Sequence, residues 1–512
     1  MLKKLSSVTL AALLCAGALS GCGGAANSGS SSASSGGTSS GASSEASSTA
    51  ADLPMGKITL IMFGDESPRM QELMSDEFQE LFKKEIHTEV ELQYIPWGEY
   101  GAGGKIDLMI AAGEDFDAAR THSDWCAASV SKNYLQDLTE VAAKYLPDLK
   151  QSVSQEAFDS LTYGGKLYAI PMGNKPAGGH FSSVCVREDI LKEVGMTDIT
   201  SLEDLDKFVT LAKEKHPEMY ATPDGGASAA YLLRAAGDDN VVATEFTGLY
   251  FNEDTGKFLS IADSDEFKVM TEYREKWYNE NLTPKDMLTS RVGNKALFES
   301  GNFLFFRGSS GTTVLENQPS LQKAVSTAEL KEYWMNPEKP KYKSMYTDYA
   351  WQVPAYSENA DRVAMFVNLL QKNTEYVDMF TYGIKDKDYE IVDNKIHQLQ
   401  SDELFYQWAT FNTKISTFDE KFPSDFIETY KNWDNDAVKS KLVGFALNLD
   451  SIKSEKAKID AVWAEYGDPL AVGFLPYDST IEKLKSELDS AGFEKYITEI
   501  QKQFDDFLKT QA

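Results

Sequence analysis

Several groupings in the chain could do chemistry, and spacing decides each. Five histidines, His87, His122, His180, His216 and His397, are scattered, with no zinc-type spacing and no Cys-x-x-Cys beside them. No metal is expected. Gly98 to Ile106 has the outline of a phosphate loop. Glu99 stands where its first glycine belongs, and Ile106 where the metal-binding hydroxyl belongs. Gly308-Ser309-Ser310-Gly311 lacks the spacing of a G-x-S-x-G nucleophile turn, and no EF-hand loop is present. The 79 acidic residues offer many carboxylate pairs for glycoside hydrolysis, but sequence does not set their separation. The pattern reads as a binder without a cofactor, not an enzyme.

The stronger signal is aromatic rings in turns. The eight tryptophans include Trp97, Trp125 and Trp351, each close to a predicted strand end. A flat ring packs against the C–H face of a sugar, and polar side chains at the rim bind hydroxyls. Asp65, Glu66, Asp124, Asn174 and Arg307 are the candidate polar set, and Tyr349 joins Trp351 on the same predicted strand. On this reading Trp351→Ala weakens ligand binding by more than ~1 kcal/mol and leaves folding largely intact.

The elements that must position these residues follow from periodicity. Lys57 to Phe63 alternates and then runs apolar into Gly64-Asp65, a buried strand and a turn. Arg69 to Lys84 carries Met70, Leu73, Met74, Phe78, Leu81 and Phe82 at helical spacing. Val90 to Ile95 is a second strand, Lys105 to Ala112 a helix, and Phe116 to Arg120 a short strand entering the loop Thr121 to Trp125. This βαβαβ rhythm predicts a parallel sheet flanked by helices. Ligands sit at the carboxyl ends of such strands, where Asp65, Trp97, Asp124 and Trp125 are placed.

The N-terminus reads as a targeting segment. Lys3 and Lys4 precede an apolar run from Leu5 to Leu19, too short for a comfortable permanent span. Leu19-Ser20-Gly21-Cys22 resembles a bacterial lipobox, with small Gly21 before Cys22. Residues 1–21 are then a lipoprotein signal peptide and Cys22 carries the lipid. Residues 22–54 are a Ser/Gly/Ala linker that cannot bury a core and has a reach of about 30 Å. The body stands outside the cell, held to the membrane by lipid. Its net charge of -29 disfavours nucleic acid as a partner. Cys126 and Cys185 either pair there or stay as buried thiols.

Residues 163–171, with Gly165-Lys166-Leu167-Tyr168-Ala169-Ile170-Pro171, resemble the crossover into the second lobe of extracellular solute-binding proteins of ABC importers. Val186 to Gly195, Thr200 to Lys215, Ala296 to Phe303 and Tyr382-Gly383-Ile384 are similar to further segments of that family. Gly444-Phe445 and the helices ending at Phe504 resemble the C-terminal region of its larger lipoproteins. The glycine patch Gly101 to Gly104 departs from the pattern. The resemblance implies an α/β, two-lobed periplasmic-binding-protein-like (type II) fold with interlobe hinge strands. Lobe one would be 55–172 plus 346–385, and lobe two 173–345 plus 386–512. It also implies a saccharide or oligosaccharide ligand in the interlobe cleft and delivery to the transmembrane permease subunits. A peptide or other solute, or a surface glycoside hydrolase, are the alternatives.

Overall fold

The structure, a computed structural model, describes residues 53–511 apart from 97–98, 100–103, 180–181, 226–229, 238–239, 245, 344–345, 348, 401–403, 407–408 and 446. The signal segment, Cys22, most of the linker and Trp97 therefore lie outside the described residues. Strands β1 (Gly56–Phe63), β2 (Thr88–Ile95), β3 (Ala118–His122), β4 (Ala169–Pro171), β5 (Val184–Arg187), β6 (Phe305–Arg307), β7 (Leu330–Tyr333) and β8 (Tyr349–Gln352) form the two central sheets.

The first sheet runs β2-β1-β3-β8-β4. β1 pairs parallel with β2 and β3, as the βαβαβ rhythm requires. β8 is antiparallel to both β3 and β4. Sequence reasoning did not anticipate this strand in the middle of the sheet, because its neighbours come from distant parts of the chain. The amphipathic run from Arg69 to Lys84 divides into two helices, Pro68–Ser75 and Glu77–Ile86, at Asp76 (φ -127°, ψ -91°). Met70, Leu73, Phe78 and Phe82 turn inward from them, as their spacing predicts.

The first core extends past residue 385 to Leu404, Phe405 and Ala409. Phe405 stacks on Phe380 at 4.5 Å and on Phe78 at 5.6 Å. The expected boundary at 385/386 thus cuts through one aromatic stack. The hairpin after it is also tied to this lobe. Arg69 grips Asp388 with two hydrogen bonds of 2.9 and 2.7 Å, the bidentate geometry that carboxylates favour.

The second sheet, β6-β5-β7, is antiparallel. Its core gathers residues from Val184 to Met335 and returns for Ile452 to Phe504. Cys126 and Cys185 are free and buried in separate clusters. Burial pushes the Cys126 thiol up to about 12.

Glu332 on β7 is half-buried as a residue, with a carboxyl oxygen enclosed beside the start of the helix Thr312–Ala324. Burial raises its carboxyl to about 7, against the pull of the Gly311 and Thr313 amides and the Ser183 hydroxyl. Between the usual 4.5 and about 7, the folded chain therefore keeps a proton that the unfolded chain has released. Stability falls as pH rises through that window, by about 3 kcal/mol from this group alone. Glu332→Gln should flatten that decline, measured by calorimetry between pH 5 and pH 8. An unchanged slope would exclude Glu332 as its source.

Three segments, 173–183, 336–349 and 410–451, carry the chain between the cores. They are sewn together. Asn174 pairs with Asn412, and strand Lys341–Lys343 runs parallel with Ala437–Lys439. Asp434 accepts the amides of Ala177 (3.0 Å) and Gly178 (2.7 Å) and the ammonium of Lys343 (2.8 Å). One carboxylate thus clamps all three crossings. Removing it strands two amides and a cation, so Asp434→Ala should cost about 3 kcal/mol in denaturant unfolding. A loss below about 0.5 kcal/mol, the level of an ordinary surface change, would refute the clamp.

Candidate functional site

β8 runs antiparallel to β3, with Tyr349 opposite His122. The carboxyl ends of β1 and β3 therefore share one sheet edge with the start of β8. Pro171 also ends β4 there, opposite Ala350. The crossing segments leave and re-enter at this edge, so the lobe junction lies against it.

Half-buried aromatic rings collect on the edge. The His122 ring lies 5.4 Å from Tyr349 and 5.6 Å from Trp125. Phe63, fully buried, forms the floor, with Tyr349 at 4.9 Å and Tyr406 at 5.6 Å. Arg120 supports the floor from within. It is fully buried, sits 5.1 Å from the Phe63 ring, and donates to the Phe405 carbonyl at 2.8 and 3.0 Å. That grip fixes the segment carrying Tyr406. Gly64 completes the fit. Its φ is +93°, and a Cβ there would lie 2.0 Å from the Tyr406 hydroxyl oxygen, so no side chain is tolerated. The Tyr406 hydroxyl donates to the Asp65 carbonyl at 2.9 Å and accepts the Asp65 amide.

The edge is also tied to the first and second crossings. The Thr347 hydroxyl donates to the Met172 carbonyl at 3.0 Å, and the Ser123 hydroxyl donates to the Thr347 carbonyl. Such a surface offers flat apolar faces with hydroxyls and an imidazole at the margin, which suits a polyhydroxylated ring.

Of the predicted set, Trp125 and Tyr349 are in this group. Asp65 is at its margin with an exposed side chain. Asp124 lies in the turn Ser123–Trp125 at the same edge, and its side chain is outside the described residues. Glu66 is exposed and accepts from Gln71 at 2.8 Å, facing the following helix. Asn174 belongs to the first crossing, where its carbonyl takes the Thr413 amide at 2.8 Å and the Thr413 hydroxyl.

Arg307 ends β6 in the second lobe. Its amide donates to Asp224 at 2.8 Å and its guanidinium lies 5.8 Å from the Phe306 ring. Burial raises the Asp224 carboxyl, against the Arg307 charge. Trp351 must be corrected. It has 0% exposure, with Phe366 edge-on at 5.9 Å and Arg120 at 5.8 Å. The helix Ala360–Leu370, which carries Phe366, packs on this face of β8, so Trp351 lies in the core and shows no face to a ligand.

His122, Tyr406 and Phe63 were missed. His122 had one signal, its place in the loop with Trp125. Tyr406 had none, because it meets Asp65 across 341 residues.

A family model described as bacterial extracellular solute-binding protein matches residues 64–376. The chain belongs to this family. Residues 441–509 match a domain of unknown function. The solute-binding chain is 25% identical over 472 residues to a carbohydrate ABC transporter substrate-binding protein of Streptococcus pneumoniae, covering 89% of this chain and 91% of that one. Among solved structures it is similar to the N-glycan transport solute binding protein of Streptococcus pneumoniae, at 22% identity and TM-score 0.74, covering 90% and 100% of the two chains. The same protein in complex with Man5GlcNAc aligns at 23% identity and TM-score 0.68, covering 90% and 100%. An alginate-binding protein aligns at 16% identity and TM-score 0.58, covering 88% and 98%. These likenesses show the two-lobed α/β fold.

Among the described residues, no helix of this solute-binding protein is long and apolar enough to cross a membrane. None of its described histidines, cysteines or acids group in threes or more around a possible metal position.

Proposed function

We propose that this protein captures a saccharide or oligosaccharide between its lobes and delivers it to an ABC permease. The observation that carries the reading is the row of half-buried rings Trp125, His122, Tyr349 and Tyr406 at the edge where the crossings meet. Its relative named as a carbohydrate transporter component, and solved relatives titled with mannose-containing glycans, support this class of cargo. Asp65, Asp124, Asn174 and Arg307 supply hydrogen bonds around the ligand. Contacts from both lobes favour a closed form, reached by bending at the clamped crossings. Lipid on Cys22 and the linker after it hold the body at the outer face of the membrane. The protein catalyses no reaction on its cargo.

A thermal-shift screen with Man5GlcNAc, shorter oligosaccharides, monosaccharides and a peptide panel tests this. A ligand at 100 times its dissociation constant adds about 2.7 kcal/mol of stability. A rise with one sugar class, and no release from a chromogenic glycoside, is expected. A rise with peptides alone, or turnover of the glycoside, would overturn the proposal.

A further inference from the structure

A cavity of about 450 Å³ opens in the second lobe, and none of the residues of the aromatic row lines it. One wall comes from residues 230–270 and the other from the domain of unknown function at 441–509. The cavity is open to solvent and falls in the size range of small-molecule sites. Four aromatic residues, Phe246, Tyr250, Phe267 and Trp463, line it among aliphatic side chains.

The placement of Trp463 has a specific cause. It opens a π-helical turn, Trp463–Gly467, of the kind often found at functional sites. Its ring lies against two glycines. A Cβ on Gly467 would meet the indole at 2.5 Å, and one on Gly248 would meet it at 3.2 Å. Phe267 faces it at 5.9 Å.

The charged groups on the lining are Lys456, Asp460 and Asp468. Asp460 is satisfied, accepting from Thr247 at 2.6 Å and pairing with Lys456 at 2.7 Å. Asp468 takes the Trp463 side-chain N–H and makes no ion pair among the described residues. Among the described residues the wall therefore carries one carboxylate in excess of its cations, set among aromatic faces. Ring faces attract cations through their quadrupole, and the half-buried Asp468 carboxylate adds direct attraction.

We propose that this cavity is a second binding site, for an organic ammonium ion on an apolar body, with the ammonium donating to Asp468 between the aromatic rings. The site is independent of the interlobe cleft and of the cargo assigned to it.

The test is calorimetry on the full body with 2-phenylethylamine and its neutral counterpart 2-phenylethanol. The amine should bind at least tenfold more tightly than the alcohol. Asp468→Asn keeps the shape and should remove that preference, while leaving saccharide binding at the cleft unchanged. Ala471→Phe, which fills the cavity from a wall residue, should abolish binding of both compounds. Equal affinity for amine and alcohol, no binding of either at millimolar concentration, or an amine affinity indifferent to Asp468→Asn would overturn the proposal. A folded Ala471→Phe protein that still binds the amine would do so as well, by moving the site elsewhere.

Discussion

Trp351→Ala should unfold the first lobe far more readily and leave the ligand contacts of the folded fraction untouched. The indole is fully buried on a strand flanked by β3 and β4. It fills the space between Phe366 and the Arg120 guanidinium. Truncating a buried tryptophan typically costs 3–5 kcal/mol, from lost transfer energy plus the cavity left behind. For a lobe of this size that is a fall in melting temperature of roughly 10 °C. Arg120 keeps its two hydrogen bonds to the Phe405 carbonyl, so the support under the ring floor stays in the folded fraction. Scanning calorimetry reads the fall, and titration calorimetry below the transition should give a dissociation constant within about twofold of the parent. A stable variant with weakened binding would restore Trp351 to the site and refute its placement in the core.

Loss of the two open rings should do the reverse. Trp125 and Tyr349 are half-buried and reach the same His122 ring from two sides. On the proposed reading each supplies a face to the ligand, and each alanine substitution should cost about 1–2 kcal/mol of binding. The double variant should lose about 3 kcal/mol, on the order of 100-fold in dissociation constant. The two effects should not add perfectly, since both rings lean on His122. Folding should suffer less than in Trp351→Ala, because neither side chain is enclosed. Calorimetric titration with the strongest saccharide from the screen decides it. Affinity within threefold of the parent would remove the aromatic row from the site and with it the main support for a carbohydrate cargo.

Particular elements show how far local pattern reaches. β1 was expected over 57–63 and spans Gly56–Phe63; the helix expected over 105–112 spans Gly104–Ala112. The helix that begins near Thr200 starts at Leu202, with Ser201 accepting the Asp204 amide as its cap. Each is governed by neighbours within a turn or a pleat, so alternation and capping residues suffice to read it. Gly64 was legible as a turn, but the reason for glycine there, the ring of Tyr406 lying over it, was not.

The sequence by itself determined the class of the body and the parallel start of its first sheet. Those depend on the order of strands and helices, and right-handed crossovers leave few arrangements open. Only the tertiary structure decided which aromatics stay open and which close. Trp351 and Tyr349 share one short strand and, two residues apart, the same face of it, yet one is sealed in the core and the other, at the strand's end, is half-exposed. Tyr406 enters the site through contacts with Gly64 and Asp65 that span 341 residues. Burial is a property of the whole packed surroundings of a side chain, and no local window of the chain contains them.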